Sequence, residues 1–147
     1  MIVVDVNLLL YAVVTGFPQH ARAREWWEQT LNSAVPVGLA APAVFGFLRI
    51  ATNPRVLSQP MTMDDAMAHV RQWLARPHVR FLPAGPQHLQ IAFELLNGLG
   101  TAGDLTTDVQ LAALAIEHRG DVYSNDTDFA RFATVRQVNP LTDPRRA

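Results

Sequence analysis

The sequence predicts an α/β domain built on a largely parallel sheet. Short apolar runs of strand length alternate with longer stretches whose apolar residues recur at helical spacing. Such alternation favours crossover connections, and so parallel strands with helices on the faces. The chain has 147 residues, 49 % of them apolar and 17 % charged, which suits one core and leaves no room for a second full domain. No repeat, linker or low-complexity stretch divides it, so residues 1–147 are expected to form one domain.

The elements follow in order. Ile2–Asp5 reads as the first strand and Asn7–Val13 as a helix directly after it, broken at Thr15–Pro18. His20–Leu31 is amphipathic through Ala21, Trp26, Trp27 and Leu31, and Val35–Leu39 is the next strand. Pro42 suits the first turn of a helix reaching about Thr52, which Asn53-Pro54 ends. Thr62 with Asp65 resembles a capping box for a helix closed by Pro77. Val79–Leu82 is β-like, and Pro86 opens a helix through Leu96 ended by Gly98 or Gly100. Thr106 or Thr107 suits an N-cap for Asp108–His118, with Gly120 as the residue after the helix. Asp121–Ser124 is strand-like, Asp126 suits the cap of a short turn at Phe129–Phe132, and Val135–Val138 is a last strand.

Composition narrows the chemistry. Cysteine is absent, which removes disulfides, thiolate metal sites and cysteine nucleophiles together. The five histidines show no metal-ligand spacing, so a bound metal is expected to take oxygen donors. All twelve basic residues are arginine, yet the net charge is only −1, so no overall field draws nucleic acid. The apolar N-terminus lacks a basic leader, carries Asp5 and Asn7, and is too short to span a bilayer; the expectation is a cytoplasmic protein without a membrane partner.

Asp5 is the most informative residue. An acid among Val3, Val4, Val6 and Leu8 has no evident local capping role, and a buried carboxylate without partners is strongly disfavoured. In a parallel sheet, ligands bind at the carboxyl ends of the strands. Asp5 ends the first strand, Asp108 begins a helix, and Asp126 and Asp128 follow the strand before them, so four acids are expected at one crevice. Clustered carboxylates call for a cation, and hard oxygen donors select Mg²⁺ or Mn²⁺. Such ions commonly serve phosphoester hydrolysis by a metal-activated water. Taken singly, Asp108 also suits a helix N-terminus and Asp126 and Asp128 suit turns.

Four segments carry a resemblance. MIVVDVNLLLYAV at the start, FLRIATNPRV in the middle, and LTTDVQLAALAIEHRG with VYSNDTDFARF near the end resemble PIN-domain ribonucleases, specifically the VapC toxins of type II toxin–antitoxin pairs. The resemblance implies an α/β/α sandwich around a mainly parallel sheet. It also implies cleavage of RNA with Mg²⁺ or Mn²⁺ to 5′-phosphate and 3′-hydroxyl ends, a VapB-type antitoxin as partner, and a homodimer. Asp5, Asp108 and Asp126 match the family's acids, with Asp128 a weaker ligand; Ser124 matches a hydroxyl beside the site, and Asn7 is placed to orient Asp5.

One departure stands out. The family's glutamate before the Phe-Leu-Arg triplet is here Gly46, and no Asp or Glu occurs from Gln29 to Met63. The fourth place is left to Asp104, Asp128 or water, and a PIN-fold RNA- or antitoxin-binding protein with little or no activity is the alternative. Other acid-cluster folds fare worse: receiver domains need a lysine, which is missing, and dehalogenase-like phosphatases need a second Asp where Asn7 stands. Arg49 and Arg55 are candidates for gripping RNA phosphates, or equally for surface solubility. The adjacent Trp26 and Trp27 are expected to diverge, one of them toward a partner.

Overall fold

The computed structural model describes residues 1–100 and 106–142. Five short strands, β1 (Ile2–Val4), β2 (Val37–Leu39), β3 (Val79–Phe81), β4 (Asp121–Tyr123) and β5 (Gln137–Val138), form one sheet in the order β3-β2-β1-β4-β5. Every pairing is parallel, as the alternating pattern requires. β1 lies at the centre, with Val3 opposite Gly38 on one side and Val122 on the other.

Among the described residues, six helices cover the two faces: α1 (Val6–Val13), α2 (His20–Leu31), α3 (Ala41–Ala51), α4 (Met63–Leu74), α5 (His88–Leu99) and α6 (Thr106–Glu117). Successive strand residues point to opposite faces. Ile2 and Val4 accordingly join Val37, Leu39 and the apolar sides of α1 to α4, whereas Val3 and Val122 join Ala92 of α5 and Val109, Ala112 and Ala113 of α6. All three residues of β1 are buried, as expected of a strand covered on both faces. The result is the α/β/α sandwich.

The chain builds outward from β1 to β2 and β3, then crosses back to add β4 and β5 on the other side. The order therefore reverses between β1 and β4, and the segments leaving those strands diverge above their carboxyl ends. This places Asp5 and Ser124 side by side.

Local sequence explains most element ends. Thr62 caps α4, its hydroxyl accepting from the Asp65 amide at 3.1 Å as the capping-box reading expected. Gly100 ends α5 in the left-handed region, with φ 75°, so the helix runs past both Leu96 and Gly98. Thr106 and Thr107 lie within α6 and are not its N-cap. The left-handed residue after α6 is Arg119, with φ 55°, and not Gly120. The Gly120 amide closes the end by donating to the Ala115 carbonyl at 2.8 Å. Glycine suits position 120 because a Cβ there would lie 2.9 Å from both the Met1 carbonyl oxygen and Val3 Cγ2. Gly120→Ala is expected to lower stability by about 1–3 kcal/mol through overpacking, measurable by urea unfolding. Asp126 does not cap the short 3₁₀ turn Asp128–Arg131; Thr127 occupies that position.

Trp26 and Trp27 are both buried, contrary to the expectation that one would face a partner. Trp26 stacks on Tyr123 at a centroid distance of 5.9 Å, while Trp27 meets Trp73 of α4 edge-on at 5.6 Å. α2 thus buries an arc wide enough for adjacent positions, because the sheet end and α4 flank it. Among the described residues no helix is long and apolar enough to cross a membrane.

Candidate active site

Asp5 is the single residue between β1 and α1. Its backbone is extended and its Oδ1 accepts from the Val6 amide at 2.7 Å, so it caps α1, which corrects the expectation of no capping role. The strand stops at Val4 and the helix starts at Val6, one residue earlier than the sequence suggested. Capping accounts for one oxygen of the carboxylate. It does not account for burial, and Asp5 is only 6 % exposed.

The second oxygen is held from β4. Ser124, fully buried just beyond that strand, donates its hydroxyl proton to Asp5 Oδ2 at 2.7 Å. The same hydroxyl oxygen accepts from Asn7 Nδ2 and from the Asp126 amide, both at 3.2 Å. A hydroxyl has one proton and two lone pairs, so these three bonds exhaust it and fix its proton on Asp5. Asn7 also donates to Asp126 Oδ2 at 3.4 Å and accepts from the Asn125 amide at 3.3 Å. The structure thereby joins Asp5, Asn7, Ser124 and Asp126, drawn from two segments far apart in sequence, into one network.

Gln137 completes it, and nothing in the sequence had singled that residue out. From β5 its side-chain amide donates to the Asp126 carbonyl, while the Ser124 amide donates to the Val138 carbonyl at 3.0 Å. The loop after β4 is therefore tied down on both sides. A polar residue on a short edge strand is the only signal that marked it.

Asp108 lies in the first turn of α6 and is half-buried. Asp5 and Asp108 thus both sit at helix N-termini, whose positive dipole ends favour negative charge. Asp128 opens the 3₁₀ turn, and Asp104 lies outside the described residues. Gly46 is on α3, where a Cβ would lie 3.1 Å from Cγ2 of Val6, the neighbour of Asp5. Gly46 and Arg49 share an open cleft with Thr107, the neighbour of Asp108. Arg55 is exposed in the loop after α3.

Among the described residues, no three His, Cys, Asp or Glu side chains gather closely enough to hold a metal between them. The donor chemistry nonetheless fits a hard divalent ion: aspartate carboxylates, one of them buried and doubly hydrogen-bonded, with no thiolate in the chain.

A parallel five-stranded sandwich with an acid at the mouth of its central strand is the architecture of a PIN domain. The PIN domain family model matches residues 2–135, and the chain belongs to that family. Within it the chain is a member of the VapC group. It is 58 % identical over 143 residues to Ribonuclease VapC33 of Mycobacterium tuberculosis, a match covering 97 % of this chain and 100 % of that one. It is 37 % identical over 140 residues to Ribonuclease VapC37 of the same organism, covering 95 % and 97 % of the two chains. Among solved structures, the crystal structure of M. tuberculosis VapC20, described as a Sarcin-Ricin loop cleaving toxin, has a TM-score of 0.68 at 19 % identity, covering 95 % of this chain and 100 % of that one. VapBC2 from Rickettsia felis, bound to a DNA fragment from its promoter, has a TM-score of 0.68 at 15 % identity, covering 95 % and 98 %.

Proposed function

We propose that this chain is the toxin of a type II toxin–antitoxin pair, a Mg²⁺- or Mn²⁺-dependent endoribonuclease that hydrolyses RNA phosphodiester bonds. The observation that carries the reading is the buried Asp5 carboxylate at the mouth of β1, hydrogen-bonded to Ser124 and linked through Asn7 to Asp126. Kinship with chains named ribonucleases supports the activity, and the fold's likeness to toxin chains of VapBC complexes supports a VapB-type antitoxin. The site of action is the cytoplasm, and the active species is a homodimer.

Asp5, Asp108 and Asp126 would hold the ion, with Asp128 in a weaker role. Bound there, it would acidify a water for in-line attack at phosphorus and offset charge on the phosphate. The protein's own part is orientation. Ser124 fixes the rotamer of Asp5 from one side while the Val6 amide fixes it from the other. Asn7 and the Asp126 amide hold the second acid against the same hydroxyl. Arg49 and Arg55, both exposed, take flanking phosphates of the RNA strand. The direct test compares Asp5→Asn and Asp108→Asn with the unaltered chain on RNA in Mg²⁺ or Mn²⁺. Cleavage by both variants at the unaltered rate would end the reading.

Gly46 favours a second reading, a PIN-fold protein that binds RNA or antitoxin with little activity of its own. Position 46 opens toward Val6 beside Asp5 and toward Thr107 beside Asp108. Gly46→Glu is therefore expected to tighten Mn²⁺ binding by about tenfold, since added ligand charge raises affinity. The new Cβ would lie 3.1 Å from a Val6 methyl, which must give by a few tenths of an ångström, and this opposes the roughly 1 kcal/mol gained by replacing a mid-helix glycine. Isothermal titration with Mn²⁺ measures the gain. Unchanged affinity would show that the acids already present complete the site.

A further inference from the structure

We propose that the cleft between α3 and the first turn of α6 is a subsite for one unstacked nucleotide of single-stranded RNA, with Phe45 as its stacking platform; this rests on the nuclease reading above. The cleft encloses about 380 Å³ and is lined by Phe45, Gly46 and Arg49 of α3 and by Thr107 and Gln110 of α6. Its size is at the small end of ligand sites, which run from roughly 300 Å³ upward.

Three features select a nucleotide. Phe45 is 65 % exposed, and the similarly exposed Val56, Leu89 and Phe93 do not line this cleft. The Phe45 ring, beside Ala41 and Pro42 on the same wall, offers a flat apolar face to a base, and every base has a π-face to stack. Arg49 follows Phe45 by four residues, so the guanidinium projects from the same side of α3 one turn on. The segment from Gln29 to Met63 has no acid, and no ion pair found among the described residues involves Arg49. Its charge is available to a phosphate.

The opposite wall supplies recognition. Thr107 and Gln110 present a hydroxyl and an amide, each both donor and acceptor, suited to the edge of an unpaired base. Thr107 adjoins Asp108 in the first turn of α6 and Gly46 approaches Val6, the neighbour of Asp5, so the cleft borders the acid site. Duplex RNA keeps its base faces stacked inside the helix and cannot use such a platform. Single strands and loops can.

The experiment reads binding apart from cleavage. The full chain is titrated in EDTA against a short fluorescein-labelled single-stranded RNA and against the same sequence as a duplex, by anisotropy, with sedimentation velocity on each variant. The unaltered chain should prefer the single strand. Phe45→Leu, which keeps an apolar side chain but no ring, should weaken that binding by about tenfold. Phe45→Trp should retain it and show emission quenched by the single strand alone, and Arg49→Ala should weaken binding and lower the salt slope by about one. Unchanged affinity for Phe45→Leu would overturn the proposal. So would an equal loss of duplex binding, or a shift of Phe45→Leu to monomer at unchanged affinity, which would make the ring a contact between two copies of this chain. Phe45-dependent binding without any metal-dependent cleavage would sink the nuclease reading and leave the subsite standing. Cleavage that depends on Asp5 while binding ignores Phe45 would sink the subsite alone.

Discussion

Replacing Asp5 by asparagine is expected to lower metal-dependent RNA cleavage by at least about 100-fold while the protein stays folded. Losing a residue that merely supports a metal ligand costs about 10–100-fold, and Asp5 is argued to be a ligand itself. Asparagine is nearly the same size as aspartate and its carbonyl oxygen can still accept the Val6 amide, but both lone pairs of the Ser124 hydroxyl are already taken by Asn7 and Asp126, so the new side-chain amide finds no acceptor there. The cap of α1 is therefore kept, and the bond from Ser124 disappears together with the charge. Asp5→Ala makes the contrast: it removes the cap of α1, worth about 1 kcal/mol, and strands the buried Ser124 hydroxyl, at about 1–3 kcal/mol. The alanine variant should be inactive and lose both contributions; the asparagine variant should be inactive and lose only the Ser124 bond, remaining the more stable of the two in urea. Should Asp5→Asn cut RNA normally and only Asp5→Ala fail, the acid is a helix cap and nothing more.

The same residue shows how far the sequence carries. An acid inside an apolar run was visible as an anomaly, and its chemistry followed from burial. Its capping role was not visible, because β1 and α1 meet at one residue and periodicity cannot resolve so short a joint. The strand and helix order was legible throughout, since each element kept its period. Ends governed by tertiary contact were not: Gly120 is required by the approach of Met1 and Val3, which no local pattern reveals. Within the site, residue types and order pointed to Asp5 and Asp126, and the family resemblance added Ser124 and Asn7. The hydroxyl of Ser124 as the hub, and Gln137 as the brace behind Asp126, exist only once β4 and β5 are paired beside β1. The tryptophan pair misled because a helix flanked on two sides buries a wider arc than amphipathic spacing suggests.

That pair supplies the largest expected effect on stability. Trp27 is 3 % exposed, packed against Trp26 and Trp73 with ring centroids 5.6 Å away in each case. Truncating a buried tryptophan to alanine costs about 3–5 kcal/mol, a large part of the roughly 5–15 kcal/mol that holds a domain together. The cost should fall near 3 kcal/mol here. Trp27 also lines an open cleft of about 610 Å³ between α2 and α4, walled partly by Arg24, Glu28 and His69. The void left by truncation would merge with that cleft and admit water instead of staying empty. At about 2–4 °C per kcal/mol for a chain of this size, the melting temperature should drop by roughly 10 °C. Trp27→Phe separates packing from polarity. The indole Nε1 is buried with no hydrogen-bond partner among the described residues, so phenylalanine removes that donor along with part of the ring and should cost much less than alanine. A phenylalanine variant as unstable as the alanine one would mean that the indole nitrogen has a partner in solution, such as an ordered water in the cleft. Among the described residues Trp27 takes no part in the site's hydrogen-bond network, and each folded Trp27→Ala molecule should cut RNA at the unaltered rate below its melting range. Asp5→Asn does the opposite, folding without cutting, so the two variants together separate the core that holds β1 in place from the carboxylate that β1 presents.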